Sequence, residues 1–419
     1  MPILSLALKS LLNRRFTVGL MLISIALSVA LLLGVERLRT ESRSSFANTI
    51  SGTDLVVGAR SGAINLLLYS VFRIGDATNN ISWKSYQAFA AHRLVEWTIP
   101  ISLGDSHRGY RVMGTSGDYF RHYRYAGTRP LAFRQGQAFE QVYEAVLGAE
   151  VADKLGYRLG QEIVVAHGAG KTSFNRHDDK PFTVSGILKP TGTPVDRTVH
   201  IPLAGIEAIH VDWVQGRQVP GVRIDAEAAL EKDLTPKAIT AFLVGLKSKI
   251  ATFRVQREIN DYRREPLQAI LPGVALQQLW DLMSVAENAL LIISGLVVAV
   301  GLAGMLTVML AGLNERRREM AILRSVGARP LHILTLITGE SLALSLLGSG
   351  LGLFLLYATL LLVRPVIEAR FGLHLSIDLP SLREYIMLGL VNASGVLIGL
   401  IPGYRAYRYS LADGMNIRI

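Results

Sequence analysis

The stretch Phe16-Thr17-Val18-Gly19-Leu20-Met21-Leu22-Ile23-Ser24-Ile25-Ala26-Leu27-Ser28-Val29-Ala30-Leu31-Leu32-Leu33-Gly34-Val35 holds twenty consecutive uncharged residues between Arg15 and Glu36. A bilayer core about 30 Å thick is crossed by roughly 20 helical residues. Three more uncharged runs of that order follow, at 288–314, 341–363 and 385–404. One such run could be a buried helix of a soluble protein; four, with residues 36–287 of ordinary composition between the first and second, read as membrane spans. The second run would be about 40 Å long at 1.5 Å per residue, so it should tilt or project from the bilayer. The first run also resembles a signal peptide, with Lys9, Arg14 and Arg15 as a basic leader. It is long for that role and ends Leu33-Gly34-Val35-Glu36 without a small-x-small cleavage site, which makes it an uncleaved anchor.

Composition agrees. Half of the 419 residues are hydrophobic and only 18% are charged, against about 25% in a soluble domain. That excludes a disordered chain and argues against a purely soluble enzyme. The net charge of +11 suits nucleic acid, anionic lipid or the cytoplasmic loops of a membrane protein. Its placement favours the last. Basic residues cluster before the first run, after the second (Arg316, Arg317, Arg318, Arg324, Arg329) and in the tail (Arg405, Arg408, Arg418), whereas Arg364, Arg370 and Arg383 are balanced by Glu368, Asp378 and Glu384. Cysteine is absent, excluding disulfides, thiolate metal sites, cysteine nucleophiles and lipoprotein acylation.

The expected fold is a membrane protein with four transmembrane α-helices and a large mixed α/β extracytoplasmic domain inserted between helices 1 and 2. In chain order it comprises a cytoplasmic amphipathic leading helix (1–15), spans at 16–35, 288–313, 331–363 and 385–404, and a periplasmic domain at 36–287 with helical stalk ends. A cytoplasmic segment at 314–330, a short periplasmic loop at 364–384 and a cytoplasmic tail at 405–419 complete it. For the stalk ends, 35–50 and 275–288, the alternative to a stalk is amphipathic helices lying on the membrane surface. Within the outer domain, strand character marks 54–58, 110–114, 162–166 and 182–188, and helical character marks 83–92, 150–155 and 235–249.

Few motifs carry chemistry. Gly168-Ala169-Gly170-Lys171-Thr172 imitates a phosphate loop, but the required first glycine is Val165, so a hairpin loop is the better reading. Nothing else supplies a nucleotide cradle, and there is no G-x-S-x-G elbow or acid pair spaced for hydrolysis. Seven of nine histidines lie in the outer domain. His177-Asp178-Asp179, His200, and His210 with Asp212 are ligand types, yet no recognised metal spacing joins them; solvated polar loops explain them, and no metal is assigned. Gly348, Gly350 and Gly352, and Gly395, Gly399 and Gly403, form small-residue seams suited to close helix packing. Glu287 and Glu340 sit at helix edges within reach of water, so no run carries an ion-pathway charge.

The segment Asn314-Glu315-Arg316-Arg317-Arg318-Glu319-Met320-Ala321-Ile322-Leu323-Arg324-Ser325-Val326-Gly327-Ala328-Arg329-Pro330 is longer than a turn requires. It reads as a charged amphipathic helix with Met320, Ile322, Leu323 and Val326 apolar, ended by Gly327. Such a helix suits a partner's groove, or anionic lipid. Here the sequence resembles the permeases of the MacB/FtsX/LolC group, the type VII ABC transporters. Glu315-Arg316, Glu319-Met320 and Leu323-Arg324-Ser325-Val326-Gly327-Ala328, then Glu340 and the glycines at 348, 350 and 352, follow the group's pattern. Residues 7–15 resemble its amphipathic leading helix, and 146–156 and 182–202 resemble the MacB-type periplasmic core domain.

The resemblance implies a non-catalytic permease subunit in the inner membrane, multi-pass, working as a dimer (homodimer or paired permease) with separate ABC ATP-binding subunits. ATP and Mg²⁺ would be bound there, with no cofactor on this chain. Glu315, Arg316, Arg317, Glu319, Leu323, Arg324 and Gly327 would couple to the ATPase. Closure of the ATPases would be transmitted to the periplasmic side for export or extraction of a lipoprotein, peptide or small toxic molecule. A periplasmic adaptor or substrate-binding protein is a further partner; nucleic acid is not. Alternatives are an FtsX-like mechanical regulator of a periplasmic enzyme or sensor, and, more remotely, a metal-linked transport system. The chain departs from the group's full-length MacB type in having no fused ATPase before the first run, and its tail lacks the usual proline-led ending.

Overall fold

The computed structural model describes residues 15–168, 176–214, 217–218, 224–315, 317–371 and 377–408. The chain divides into two compact units: Ser42–Met283 with Ile367–His374, and Met1–Glu41 with Ser284–Val366 and Leu375–Ile419.

In the second unit, four helices among the described residues are long and apolar enough to cross a membrane. They are segments of Arg15–Thr49, Pro272–Glu315, Pro330–Phe371 and Leu382–Tyr407. The first two continue well beyond their uncharged runs without a break: residues 36–49 carry no proline or glycine, and in the second Pro272 and Gly273 fall in the first turn, where no ladder bond is lost. Ile25, Val29, Leu33, Leu302, Met305 and Val391 form the interior of the bundle. Leucines such as Leu20, Leu27, Leu296 and Leu362 point outward, as lipid contact requires and water would not favour.

The glycines set how closely these helices approach. A Cβ at Gly348 would lie 2.6 Å from Ile25, and one at Gly352 would lie 2.7 Å from the Ala26 carbonyl oxygen and 2.8 Å from Val29. Gly395 faces Ser345, Gly399 faces Ser341, and Gly403 faces Leu334 and Thr338. Gly350 does not belong to the seam: nothing lies within 4 Å of its Cβ position. With helical geometry of 100° per residue, a residue two places from two seam positions must point elsewhere.

The other unit is built on one large mixed sheet. Its main path runs Leu267–Ile270, Leu55–Ala59, Ala241–Leu246, Val95–His107, Tyr110–Thr115, Thr198–Pro202, Glu144–Leu147, Phe182–Leu188 and Phe133–Gly136. Most neighbours are antiparallel; Thr198–Pro202 with Tyr110–Thr115, and Glu144–Leu147 with Phe182–Leu188, are parallel. Two short strands pair off this path, Glu162–Ile163 along Phe182–Thr183 and Ala166–His167 along Asp105–Ser106. The region 162–166 is thus two short strands rather than one.

The helix expected at 235–249 is absent. Ala238–Ile239 and Ala241–Leu246 are strands, and every residue of the latter is buried. An apolar run covered on both faces satisfies helical spacing as readily as strand spacing, so periodicity could not separate the two. Gly245 makes the placement possible, since a Cβ there would overlap the Trp97 ring on the next strand. The helix Trp83–Ala90 is capped by Ser82, whose hydroxyl accepts from the Ser85 amide, and Ala149–Leu155 ends at Gly156 with φ of +71°.

His200 lies fully buried on a central strand, packed between Tyr119 and Phe120. Burial first, and then the Arg73 cation, hold its imidazole down to about 3. The unfolded chain, whose histidine titrates near 6.5, takes up a proton that the native state refuses. The contribution of His200 to stability is therefore complete above pH 6.5 and declines as the pH falls toward 3, at about 1.4 kcal/mol per pH unit. Chemical denaturation of the detergent-solubilised chain should show His200→Phe with a shallower loss between pH 6.5 and 5 than wild type, by about 2 kcal/mol in total; parallel curves would refute the buried neutral imidazole. In the bundle, Gly352→Val should cost about 1–3 kcal/mol by overpacking, read as a lower melting temperature in detergent, while Gly350→Ala should leave it almost unchanged.

Candidate functional site

The segment that follows the second long helix is a separate short helix, Arg317–Ser325. Its C-terminus is a complete Schellman cap: the Gly327 amide donates to the Arg324 carbonyl at 3.1 Å and the Ala328 amide to the Leu323 carbonyl at 3.0 Å. Gly327 adopts φ of +99°, a conformation an L side chain rarely takes. Its role is to end the helix. Pro330 then opens the third long helix.

The apolar residues of the short helix do not share one face. Met320 and Ala321 are buried, Met320 with Leu313, Ile333, Ile337 and Ala406. Ile322 and Val326 are 56% and 83% exposed. Leu323 and Arg324 are half-buried between them. One side of the helix is anchored to the bundle and the other presents branched aliphatic side chains outward. Of the other candidate coupling residues, Glu315 closes the second long helix and Arg317 and Glu319 lie in the short one, while Arg316 falls outside the described residues. Glu340 is half-buried and lines a pocket with Thr17, Met21, Met309 and Ile337.

A second constellation was not singled out by the sequence. Where the first helix leaves its uncharged run, Glu36, Arg37 and Arg39 meet charges from the second and fourth long helices and polar groups from the third and from the segment before the fourth. Arg39 Nε lies 3.1 Å from Glu287 Oε2, and its Nη1 lies 3.4 Å from Glu36 Oε2. Arg383 Nε approaches Glu36 Oε1 at 3.1 Å, and Arg37 Nη1 lies 4.0 Å from Glu384 Oε1. Arg37 also donates to the Tyr357 hydroxyl at 3.0 Å and to the Asp378 carbonyl at 2.6 Å, and its guanidinium sits over the Tyr357 ring. Glu384 completes a capping box with Ser381 at the start of the fourth helix. All four long helices contribute. Glu287 therefore does not project into water as its position in sequence suggests; its side chain is 13% exposed and paired. The signal available in the sequence was the run Glu36-Arg37-Leu38-Arg39, with no proline or glycine from there through Ile50, and the Ser381-x-x-Glu384 box.

The outer histidines fall into different environments. His107 is satisfied at both nitrogens, by the Val164 carbonyl at 2.6 Å and the Tyr157 hydroxyl at 2.9 Å. His200 belongs to the core. His177 and His210 do come together, joined by His167, which spacing had not linked to them. Asp178 is paired with Arg176, and Asp179 and Asp212 both bind the buried Lys180. Burial, with His210 and His167 alongside, holds His177 down to about 3, and burial lowers His210 as well.

Comparison with known proteins accounts for both units. Residues 16–262 match the MacB-like periplasmic core domain family, and residues 291–411 match the FtsX-like permease C-terminal family. The macrolide export ATP-binding/permease protein MacB of Azoarcus sp. (strain BH72) is 25% identical over 237 residues, which are 54% of this chain and 32% of that protein. The chain thus spans about a third of the length of this relative. The crystal structure of the periplasmic region of MacB from Actinobacillus actinomycetemcomitans is similar at 12% identity and a TM-score of 0.34, over 55% of this chain and 94% of that one. The extracellular domain of the noncanonic ABC-type transporter YknZ from Gram-positive bacteria gives 13% and 0.30, over 52% and 99%. With its MacB-like periplasmic core domain and its FtsX-like permease domain, this chain belongs to the MacB/FtsX group of ABC transporter permeases.

Proposed function

We propose that this chain is the permease subunit of an ATP-driven transporter of the mechanotransmission type, acting on a substrate at the periplasmic side of the inner membrane. In this reading it has four spans, its core domain projects outward between the first and second, and it pairs with a second permease. ATP and Mg²⁺ are bound by a separate subunit. The observation that carries it is the short helix Arg317–Ser325. It is anchored through Met320 and Ala321 and exposes Ile322 and Val326, next to the basic and acidic run 315–319.

Physically, a helix held on one side can be pushed without rotating freely. It follows a continuous helix, Pro272–Glu315, whose backbone hydrogen bonds make it stiff along its axis. Displacement at the ATPase end is therefore carried along a rod rather than absorbed in a loop. Exposed aliphatic side chains supply the contact area for the ATPase and the flanking charges set its register. Glu315, Arg316, Arg317, Glu319, Leu323 and Arg324 form that contact, and Gly327 keeps the helix at its required length. The outer domain works on cargo already outside the membrane, consistent with uncharged runs that offer no ion path.

Two experiments test this. Ile322→Glu, or charge reversal at Arg316 and Arg317 combined with Glu319→Lys, should reduce permease-stimulated ATP hydrolysis by the cognate ATP-binding subunit at least tenfold, with insertion into the membrane unchanged. Stimulation at the wild-type level would remove the coupling role. The natural chain has no cysteine, so single cysteines at Glu140 and Ser325 can report orientation in intact inner-membrane spheroplasts. A membrane-impermeant maleimide should label only the first; labelling of the second alone would invert the topology.

A further inference from the structure

The cluster His167, His177 and His210 is built from three separate parts of the outer unit. His167 ends the short strand Ala166–His167, which pairs with Asp105 and Ser106 on the long strand Val95–His107. The chain returns at His177, whose amide donates to the Val165 carbonyl at 3.0 Å. His210 is the last residue of the helix Leu203–His210. The sheet and helix thus bring together residues far apart in sequence, and one ligand nitrogen from each ring lies within 4.8 Å of the others.

The three rings are packed together, His167 stacked on His210 at 4.6 Å between centroids and His177 edge-on to both. His177 is fully buried, and neither of its ring nitrogens has a hydrogen-bond partner among the described residues. His210 bonds the Ile206 backbone, leaving its buried Nε2 without a hydrogen-bond partner among those residues. Asp105, itself buried, sits 3.0 Å from His167 Nδ1. A carboxylate at Nδ1 holds the proton there and presents the Nε2 lone pair, the arrangement in which an outer carboxylate orients a metal-bound imidazole. Buried polar atoms are almost always satisfied, so imidazole nitrogens gathered this way call for a shared partner.

Charge favours a cation as that partner. Lys180 Nζ pairs with Asp179 at 3.0 Å and with Asp212 at 2.8 Å, one ammonium against two carboxylates. Asp105 adds a third carboxylate, and its Oδ1 is 4.0 Å from His210 Nε2. The surroundings carry an excess of negative charge suited to a dication. Trp213 packs against both His167 and His177 with ring centroids 4.7 and 4.6 Å away, forming an apolar wall. His167 and His210 keep side-chain exposures of 23% and 25%, so one side remains open to solvent.

We propose that His167, His177 and His210 form a binding site for a late first-row divalent cation, Zn²⁺ in its chemical class, with Asp105 orienting His167. Three neutral imidazoles and no thiolate are the donor set that Zn²⁺ and its neighbours Cu²⁺ and Ni²⁺ accept, while Mg²⁺ and Ca²⁺ require oxygen. Nitrogens bound to Zn²⁺ at about 2.0–2.1 Å stand about 3.4 Å apart in tetrahedral geometry, so binding draws the nitrogens in from within 4.8 Å and rotates the stacked His167 and His210 rings to converge on the ion. The exposed side accommodates a fourth ligand, water or a group from cargo. The bound ion would hold the strand Ala166–His167, the chain at His177 and the helix Leu203–His210 together. The site does not depend on the transport reading.

The test uses the full-length chain, purified in detergent and stripped with a chelator. Calorimetry with Zn²⁺ should show one equivalent per chain and a raised melting temperature. His177→Ala and His210→Ala should each weaken binding at least tenfold, and Asp105→Asn by about 10- to 100-fold; His92→Ala should not change it. If the cluster variants fail to fold, X-ray absorption at the zinc edge of the loaded wild-type chain reads the ligands directly, and a shell with three imidazoles is expected. A shell of oxygen alone, no stoichiometric binding, or binding unchanged in both His177→Ala and His210→Ala would overturn the proposal.

Discussion

The membrane unit depends on the buried girdle of charge where four helices meet. Glu36, Arg37, Arg39, Glu287, Arg383 and Glu384 lie close together, and the Glu36, Arg37 and Glu384 side chains are almost wholly inaccessible. Removing charges from water is expensive, and only mutual pairing with additional hydrogen bonds offsets it. The Tyr357 hydroxyl and the Asp378 carbonyl supply those bonds to Arg37. Losing Arg39, held between Glu36 and Glu287, would leave buried carboxylate charge under-compensated, an effect of about 3–5 kcal/mol. The girdle therefore fixes the register of helices whose apolar surfaces alone would let them slide.

Below the girdle, packing takes over. Serines and glycines bring the third helix against the first and fourth, with Gly352 on Ala26 and Val29 and Gly395 on Ser345. In lipid no hydrophobic effect drives helices together, so close contact and polar bonds must do so. Ser345 bonds Asn392 at 2.8 Å, and Asn392 reaches Ser349 at 3.3 Å. The short helix Arg317–Ser325 uses the same logic at smaller scale, with one face anchored and one face offered.

The outer unit follows a different rule. Its sheet is covered on both sides, and its central strands are buried throughout, as in Ala241–Leu246 and Thr198–Ile201. Some of the polar groups buried there are matched. His107 has both partners; Lys180 has two carboxylates. The histidines at 167, 177 and 210 differ from His107 and His200 in converging: one ligand nitrogen from each lies within 4.8 Å of the others, which is why they suggest a ligand.

Spans, coarse class and family were legible in the sequence because they rest on local facts: uncharged runs long enough for a bilayer, and the ordered pattern from Glu315 to Gly352. The Gly327 stop and the Pro330 start were equally local, set by backbone chemistry of single residues. What only the tertiary structure decided depends on which distant residues meet. The strand at Ala241–Leu246 imitated a helix until both its faces were seen to be covered. Gly350 left the seam because helical phase turns it away. Glu287 found Arg39, and His167 found His177 and His210, across separations that no spacing rule encodes. A sequence states what each residue prefers over a few neighbours; burial, pairing and ligand geometry are properties of the space between chain segments, and arise only once those segments are packed.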